Sequence, residues 1–281
     1  MKAVRFRTSF PGSARETRVG RLEDGGIIDA GPAEPGGFVP TDAAWEQIAS
    51  ASGAEYHIGD RVGLLHPVEP AKLIGIGLNY RDHAEESELD IPAVPVVFAM
   101  WPSALIAAGE TIVVPRDETR PDYEGELALV LGRTVKNASR EEARAAIGGI
   151  SAFNDVSGRR AQLETPLRQF TLGKSFDTFA PMGPCIASVD DLDLGNLSIK
   201  TTVTGEVLQE STTANLIFAA AELVEYCSRG VTLEAGTVIA TGTPGGVGDS
   251  RDPKRYLVDG DVVEIWVEGV GTLSNPVARE N

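Results

Sequence analysis

Three acidic side chains dominate the chemistry open to this sequence. Glu124 and Glu126 stand one residue apart in PDYEGELALVLGR (residues 121–133), at the entrance to an apolar run, and Asp155 follows in FNDVSGRRAQ. In an extended strand, residues two apart share a face, so both glutamates point the same way. Like charges that close are unfavourable unless a cation or a shared proton relieves them. Three oxygen donors with coordination positions left open suit Mg²⁺ or Mn²⁺, which keep waters or take substrate oxygens, better than zinc.

Groups for proton transfer are few, because the chain has three histidines, His57, His66 and His83. His83 lies in NYRDHAEES, and Glu86 three residues later would sit beside its imidazole on one turn of helix. Lys174, in TLGKSFDTF, is either an exposed lysine or, beside a cation site, a group that stabilises developing negative charge. The glycine-rich ATGTPGGVG (240–248) lacks a GK[ST] ending and opens no amphipathic helix, so it is neither a Walker loop nor a dinucleotide fingerprint. It reads as a hairpin turn, or as a loop whose backbone N–H groups and Thr243 hydroxyl line a ligand cavity.

The elements that must position these groups are mostly strands. KAVRFRTSF and RVGRLEDGGIIDAG alternate between Gly and Pro turns, and TDAAWEQIASASG reads as a short helix capped by Thr41. EYHIGDRVGLLHPVEP reads as a linker, which sets an expected boundary near residue 68 between a small N-terminal domain (1–68) and a catalytic domain (69–281). Beyond it KLIGIGLNY, PVVFAM, TIVVP and YEGELALVLG read as strands, and SREEARAAIGG as a helix with a Ser139–Glu142 capping box. In STTANLIFAAAELVEYCSRG the apolar residues Leu216, Ile217, Ala220, Leu223, Val224 and Cys227 fall at helical spacing, with Gly230 as the stop. LSIKTTVTGEVLQE reads as a hairpin about Thr204 and Gly205. With no βαβ series, the expected fold class is α+β, mainly β and mainly antiparallel, with a few helices.

Composition narrows the partners. The 281 residues, 42% hydrophobic and 23% charged, can bury a large core. A net charge of −16 repels phosphate backbones and anionic headgroups, so neither nucleic acid nor a membrane is an expected partner. An anionic substrate would need local positive charge. Cys185 and Cys227 have no CxxC spacing, which signals neither a zinc cluster nor a disulfide framework and fits a reducing cytoplasm. The first residues lack the apolar core of a secretion signal, and no apolar run reaches a membrane span.

The ordered series GLNYRDHAEE, PVVFAMWPSAL, DYEGELALVLGR, FNDVSGRRAQ, LGKSFDTFAPMGP, TGTPGGVG and GDVVEIWVEGVGTLSNPV resembles the fumarylacetoacetate hydrolase family, in its bacterial acylpyruvase and 2-hydroxyhepta-2,4-diene-1,7-dioate isomerase-like branch. The resemblance runs over about residues 70–278. It implies a mixed β-sandwich roll, usually homodimeric, holding Mg²⁺ or Mn²⁺ through Glu124, Glu126 and Asp155. It also implies a catalytic group of His83, Glu86, Lys174 and Gln162, and substrate contacts from Tyr80, Arg159, Gly242, Thr243 and Met100. The implied chemistry acts on 2-oxo or 1,3-dicarbonyl acids through an enolate. The first expectation is cleavage of a carbon–carbon bond in an acylpyruvate-like 2,4-dioxo acid: His83, oriented by Glu86, activates water while Lys174 and Gln162 stabilise the oxyanion. Oxaloacetate decarboxylation, 2-hydroxy-dienoate isomerisation, 2-oxo-enoate hydration and non-catalytic dicarboxylate binding are the alternatives. Met100 stands where relatives commonly have a lysine, which favours an apolar substrate tail or a passive wall. Arg160, where relatives often have an acid, is the candidate to replace that charge.

Overall fold

The computed structural model describes residues 1–8, 16–24, 26–59 and 62–280. The turn expected within residues 9–15 and the Asp60–Arg61 part of the expected linker lie outside the described residues.

The organising element is the strand Gly125–Leu131, in which all seven residues are buried. It pairs antiparallel with Ile147–Asn154 on one side and with Val238–Ala240 on the other; Leu127, Leu129 and Leu131 point into one buried cluster and Ala128 and Val130 into a second. Full burial of each such leucine stabilises the fold by about 1.5–3 kcal/mol. These strands lie in the middle of a twelve-stranded sheet, and a five-stranded sheet packs across that middle. Gly125 marks the contact: a Cβ there would lie 2.1 Å from Thr201 Oγ1 of the second sheet. The glycine between the two glutamates therefore lets the sheets approach closely.

Two parallel neighbours set one end of the sheet. Val238–Ala240 runs parallel to Leu73–Gly77, with Ile239 opposite Ile74, so the chain leaves both strands at the same end. One exit becomes the Thr241–Gly248 loop; the other leads through Asn79 and Tyr80 into the helix Arg81–Glu86. The two segments that bear Thr243 and His83 are thereby brought together by strand pairing alone.

The N-terminal strands extend this same sheet, with Lys2 opposite Ala187 across the residue-68 boundary. The segment expected as a linker instead contributes the strand Val62–Leu65, paired with Lys2–Thr8, because Val62 is buried there. The capping box forms as expected: Ser139 Oγ accepts from Glu142 N, and Glu142 accepts from Ser139 N. The hairpin turn has φ of 49° at Thr204 and 85° at Gly205, the double positive φ that a two-residue turn of this hand requires. The expected long helix is shorter and spans Ala220–Cys227. Upstream of it Ile217 N and Phe218 N donate to the backbone and side-chain oxygens of Asn79, which takes donors a helix would need. Among the described residues, no helix is long and apolar enough to cross a membrane.

Candidate active site

Strand register brings the acids together. Asp155 N donates to the Glu124 carbonyl at 2.9 Å just beyond the Gly125–Asn154 pair. Carboxylate oxygens of Glu124, Glu126 and Asp155 all lie within 4.8 Å of one another. Glu126 and Asp155 are each 1% exposed.

Two buried cations face them. Lys174 Nζ donates to Glu124 Oε2 at 2.7 Å, Asp155 Oδ2 at 2.6 Å and Ser157 Oγ at 2.9 Å, which engages all three of its N–H groups. Arg159 reaches Glu124 Oε1 at 2.6 Å, Asp122 Oδ2 through Nε at 2.9 Å, and Gln162 Oε1 at 3.0 Å. Asp122, fully buried, also accepts from the backbone N–H groups of Tyr123, Gly248 and Asp249. Four carboxylates, Asp122, Glu124, Glu126 and Asp155, thus face two cations, a formal excess of two negative charges when all four are ionised.

Protonation follows that imbalance. Burial pushes Glu124 up, but Lys174 and Arg159 outweigh it and hold the carboxyl at about 2. Burial, with the charges of Asp155 and Glu124, raises Glu126 well above the usual carboxylate range. Burial likewise lifts Asp155 to about 6 against the pull of Lys174. Among the described residues Asp155 Oδ1 is buried without a hydrogen-bond partner. Three carboxylate donors, one orphaned oxygen and two uncompensated charges fit one hard divalent cation.

The glycine-rich loop holds the second of these acids. Gly242 N donates to Glu126 Oε2 at 2.8 Å. Gly242 has φ of 97°, and a Cβ there would lie 2.8 Å from Asn79 Cβ, so the position needs glycine. Thr243 Oγ1 donates to the Gly125 carbonyl at 3.0 Å and accepts from Gln209 Nε2 at 2.8 Å, which fixes the loop on the strand.

The short helix docks on the same loop. Glu86 accepts from Gly246 N at 2.9 and 3.0 Å, and Asp82 accepts from Gly245 N at 3.3 Å. His83 Nδ1 stands 3.5 Å from Glu86 Oε2, an electrostatic contact longer than a good hydrogen bond. Burial raises the Glu86 carboxyl, but His83 and the Gly246 N–H outweigh it and the net shift is downward.

A cavity of about 840 Å³ joins these parts. Of the residues expected from sequence, His83, Glu86, Glu124, Arg159, Gln162, Lys174 and Thr243 line it. Glu126, Asp155 and Gly242 lie just behind that lining, joined to it through Glu124 and Thr243. Tyr80 is fully buried with an unpartnered hydroxyl, and burial with the nearby charge of Glu126 raises its pKa. Met100 does not line the cavity: at 2% exposed it packs in the core, and Phe98, two residues earlier, forms the wall, stacked on Phe170 at 5.6 Å. Arg160 turns away and donates to the Asp117 carbonyl at 2.6 Å. Sequence reasoning missed Asp122 and Ser157, which position the two cations. Asp122 is two residues from Glu124, yet nothing in the local pattern distinguishes it from a solvated acid.

A family model described as the fumarylacetoacetate (FAA) hydrolase C-terminal domain matches residues 72–278. The mitochondrial oxaloacetate tautomerase of Xenopus laevis is 36% identical over 290 residues, covering 99% of this chain and 90% of that protein. The crystal structure of a 5-carboxymethyl-2-hydroxymuconate delta-isomerase from Mycobacterium smegmatis aligns over 100% of both chains with a TM-score of 0.81 and 34% identity. A fumarylacetoacetate hydrolase from Exiguobacterium antarcticum aligns over 99% of this chain and 100% of its own, with a TM-score of 0.80 and 35% identity.

Proposed function

The chain belongs to the fumarylacetoacetate hydrolase family, and from that premise we propose that it catalyses proton transfer on a small 2-oxo acid through its enol form, as a tautomerase or isomerase. The observation that carries this reading is the pairing, across one cavity, of a buried carboxylate triad short of positive charge with the imidazole of His83. Mg²⁺ or Mn²⁺ would be held by Glu124, Glu126 and Asp155 and, when bound, supplies positive charge that favours the enolate form of a 2-oxo acid. His83 takes the proton from the carbon next to the carbonyl and returns it to another position, and Glu86 orients the ring through Nδ1. Arg159 fixes the Gln162 side-chain oxygen, and the amide N–H₂ of this cavity-lining residue is left to donate to the acid. Phe98 and Phe170 keep water from that wall. The names of the Xenopus and Mycobacterium relatives, a tautomerase and an isomerase, support this class.

The engagement of all three Lys174 N–H groups favours proton transfer over hydrolysis, since no donor is left on Lys174 for an oxyanion. Carbon–carbon hydrolysis of a longer 2,4-dioxo acid is the second reading. It is favoured by the cavity, whose volume lies in the roughly 300–1,000 Å³ range of sites for drug-sized ligands and exceeds the need of a four-carbon acid. One assay separates them: incubate the protein with oxaloacetate, acylpyruvates and 2-hydroxy-dienoates, with Mn²⁺, in D₂O. Tautomerisation or isomerisation conserves the carbon skeleton and introduces deuterium next to the carbonyl. Hydrolysis gives two fragments and decarboxylation releases CO₂, and either as the sole outcome would overturn the first reading.

A further inference from the structure

Three cations line the cavity, and the protein already answers two of them. Arg159 is paired with Asp122 and Glu124, and Lys174 with Glu124 and Asp155. The third, Arg168, is exposed at the cavity lining, and among the described residues its guanidinium makes no hydrogen bond or ion pair. We propose that Arg168 binds the distal carboxylate of a two-headed 2-oxo acid whose 2-oxo-carboxylate end lies at the acid triad. This inference rests on the reading under Proposed function and adds to it the residue that distinguishes a 2-oxo diacid from a monoacid.

The electrostatics favour such a group. The chain carries a net charge of −16, and Glu86, Asp90 and Asp249 line the same cavity, so a dianion approaches against a repulsive field. Neither residue that sequence comparison would consult for the missing charge can supply it. Met100 is buried in the core, and Arg160 is committed to the Asp117 carbonyl. Asp249 is in turn held by Lys254, by the Tyr256 hydroxyl and through its own N–H by Asp122, so it does not compete for Arg168.

The local backbone is built to hold the residue there. Arg168 has φ of 57°, a left-handed conformation that a non-glycine residue adopts at a cost, and its N–H closes a turn onto the Thr165 carbonyl at 3.0 Å. Leu163 and Phe170 line the cavity on either side of it in sequence, giving apolar contacts for the carbons between two acid groups. A guanidinium offers a planar fork of donors that matches a carboxylate in two-point contact, which an ammonium does not.

The test compares ligands that differ in the distal carboxylate. Binding of 2-oxoglutarate and of 2-oxopentanoate is measured by calorimetry with Mn²⁺ present, for wild type, Arg168→Gln and Arg168→Lys, with melting temperatures as the check on folding. Wild type is expected to prefer the diacid. Arg168→Gln should weaken diacid binding by roughly 10- to 100-fold, the range of a charge-assisted hydrogen-bonded pair, and move monoacid binding by about twofold or less. Arg168→Lys should recover only part of the loss. Equal weakening of both acids, no weakening of either, or no wild-type preference would overturn the role of Arg168 while leaving the enolate reading in place. Wild type binding neither acid would remove that reading, and this inference with it.

Discussion

At the floor of the cavity Lys174 is 3% exposed, and every one of its donors meets a carboxylate or a hydroxyl; at the mouth Arg168 is exposed and, among the described residues, meets none. His83 and Glu86 stand between these extremes, partly exposed and joined by one long contact. The floor is fixed by strand register and by the Gly242 N–H on Glu126, so its geometry follows from the core. The mouth rests on a six-residue helix and on the loop of residues 163–169. The rigid end suits holding a cation in one geometry, and the looser end suits proton transfer and choice of substrate.

The comparison breaks most visibly at Lys174. Replacing it with Met removes one partner of a buried ion network, so unfolding free energy should fall by about 3–5 kcal/mol, read by denaturant titration. Added Mn²⁺ should restore part of that loss by supplying positive charge to the same acids. A loss that Mn²⁺ does not touch would mean that the acids and the cation site are separate. At the other end, His83→Gln should leave stability and Mn²⁺ affinity within about twofold and lower kcat by about 10²- to 10⁴-fold, measured as deuterium incorporation into a 2-oxo acid.

Glu86 gives the smallest effect and a pH signature. Its carboxyl is depressed in the folded protein below its ordinary value of 4.5, so the stability it contributes is complete above that value and is lost as pH falls through the folded one. Because the side chain is 28% exposed, that contribution should be a few tenths of a kcal/mol. The difference in melting temperature between wild type and Glu86→Gln should be constant from pH 8 to about 6 and shrink toward pH 3. A difference that grows on acidification would reverse the sign assigned to this group.

How much of this was legible in the sequence depends on the range of the interaction. The shared face of Glu124 and Glu126, the Ser139–Glu142 box and the Thr204–Gly205 turn are local, and residue type with spacing was enough. The pairing of Lys174 with Glu124 spans fifty residues and follows from strand register and a loop, which periodicity does not encode. Leu216 and Ile217 kept helical spacing but lie outside the helix, because Asn79, far away in sequence, took the backbone donors. Met100 stands out in the sequence as a residue type, yet in the structure it lies two residues beyond Phe98 on the same strand face, buried in the core and outside the cavity lining. Arg168 sits in a loop with no periodic pattern, so only the folded cavity reveals it.

The central claim is that Glu124, Glu126 and Asp155 form a site for one divalent cation. Titration of the protein with Mn²⁺, followed by the loss of the free-ion electron paramagnetic resonance signal, tests it directly in wild type and in Glu126→Gln. Binding of one ion per chain in wild type, weakened at least about tenfold in the variant, is the predicted result. Equal binding by the two proteins, or no binding by either, would contradict it.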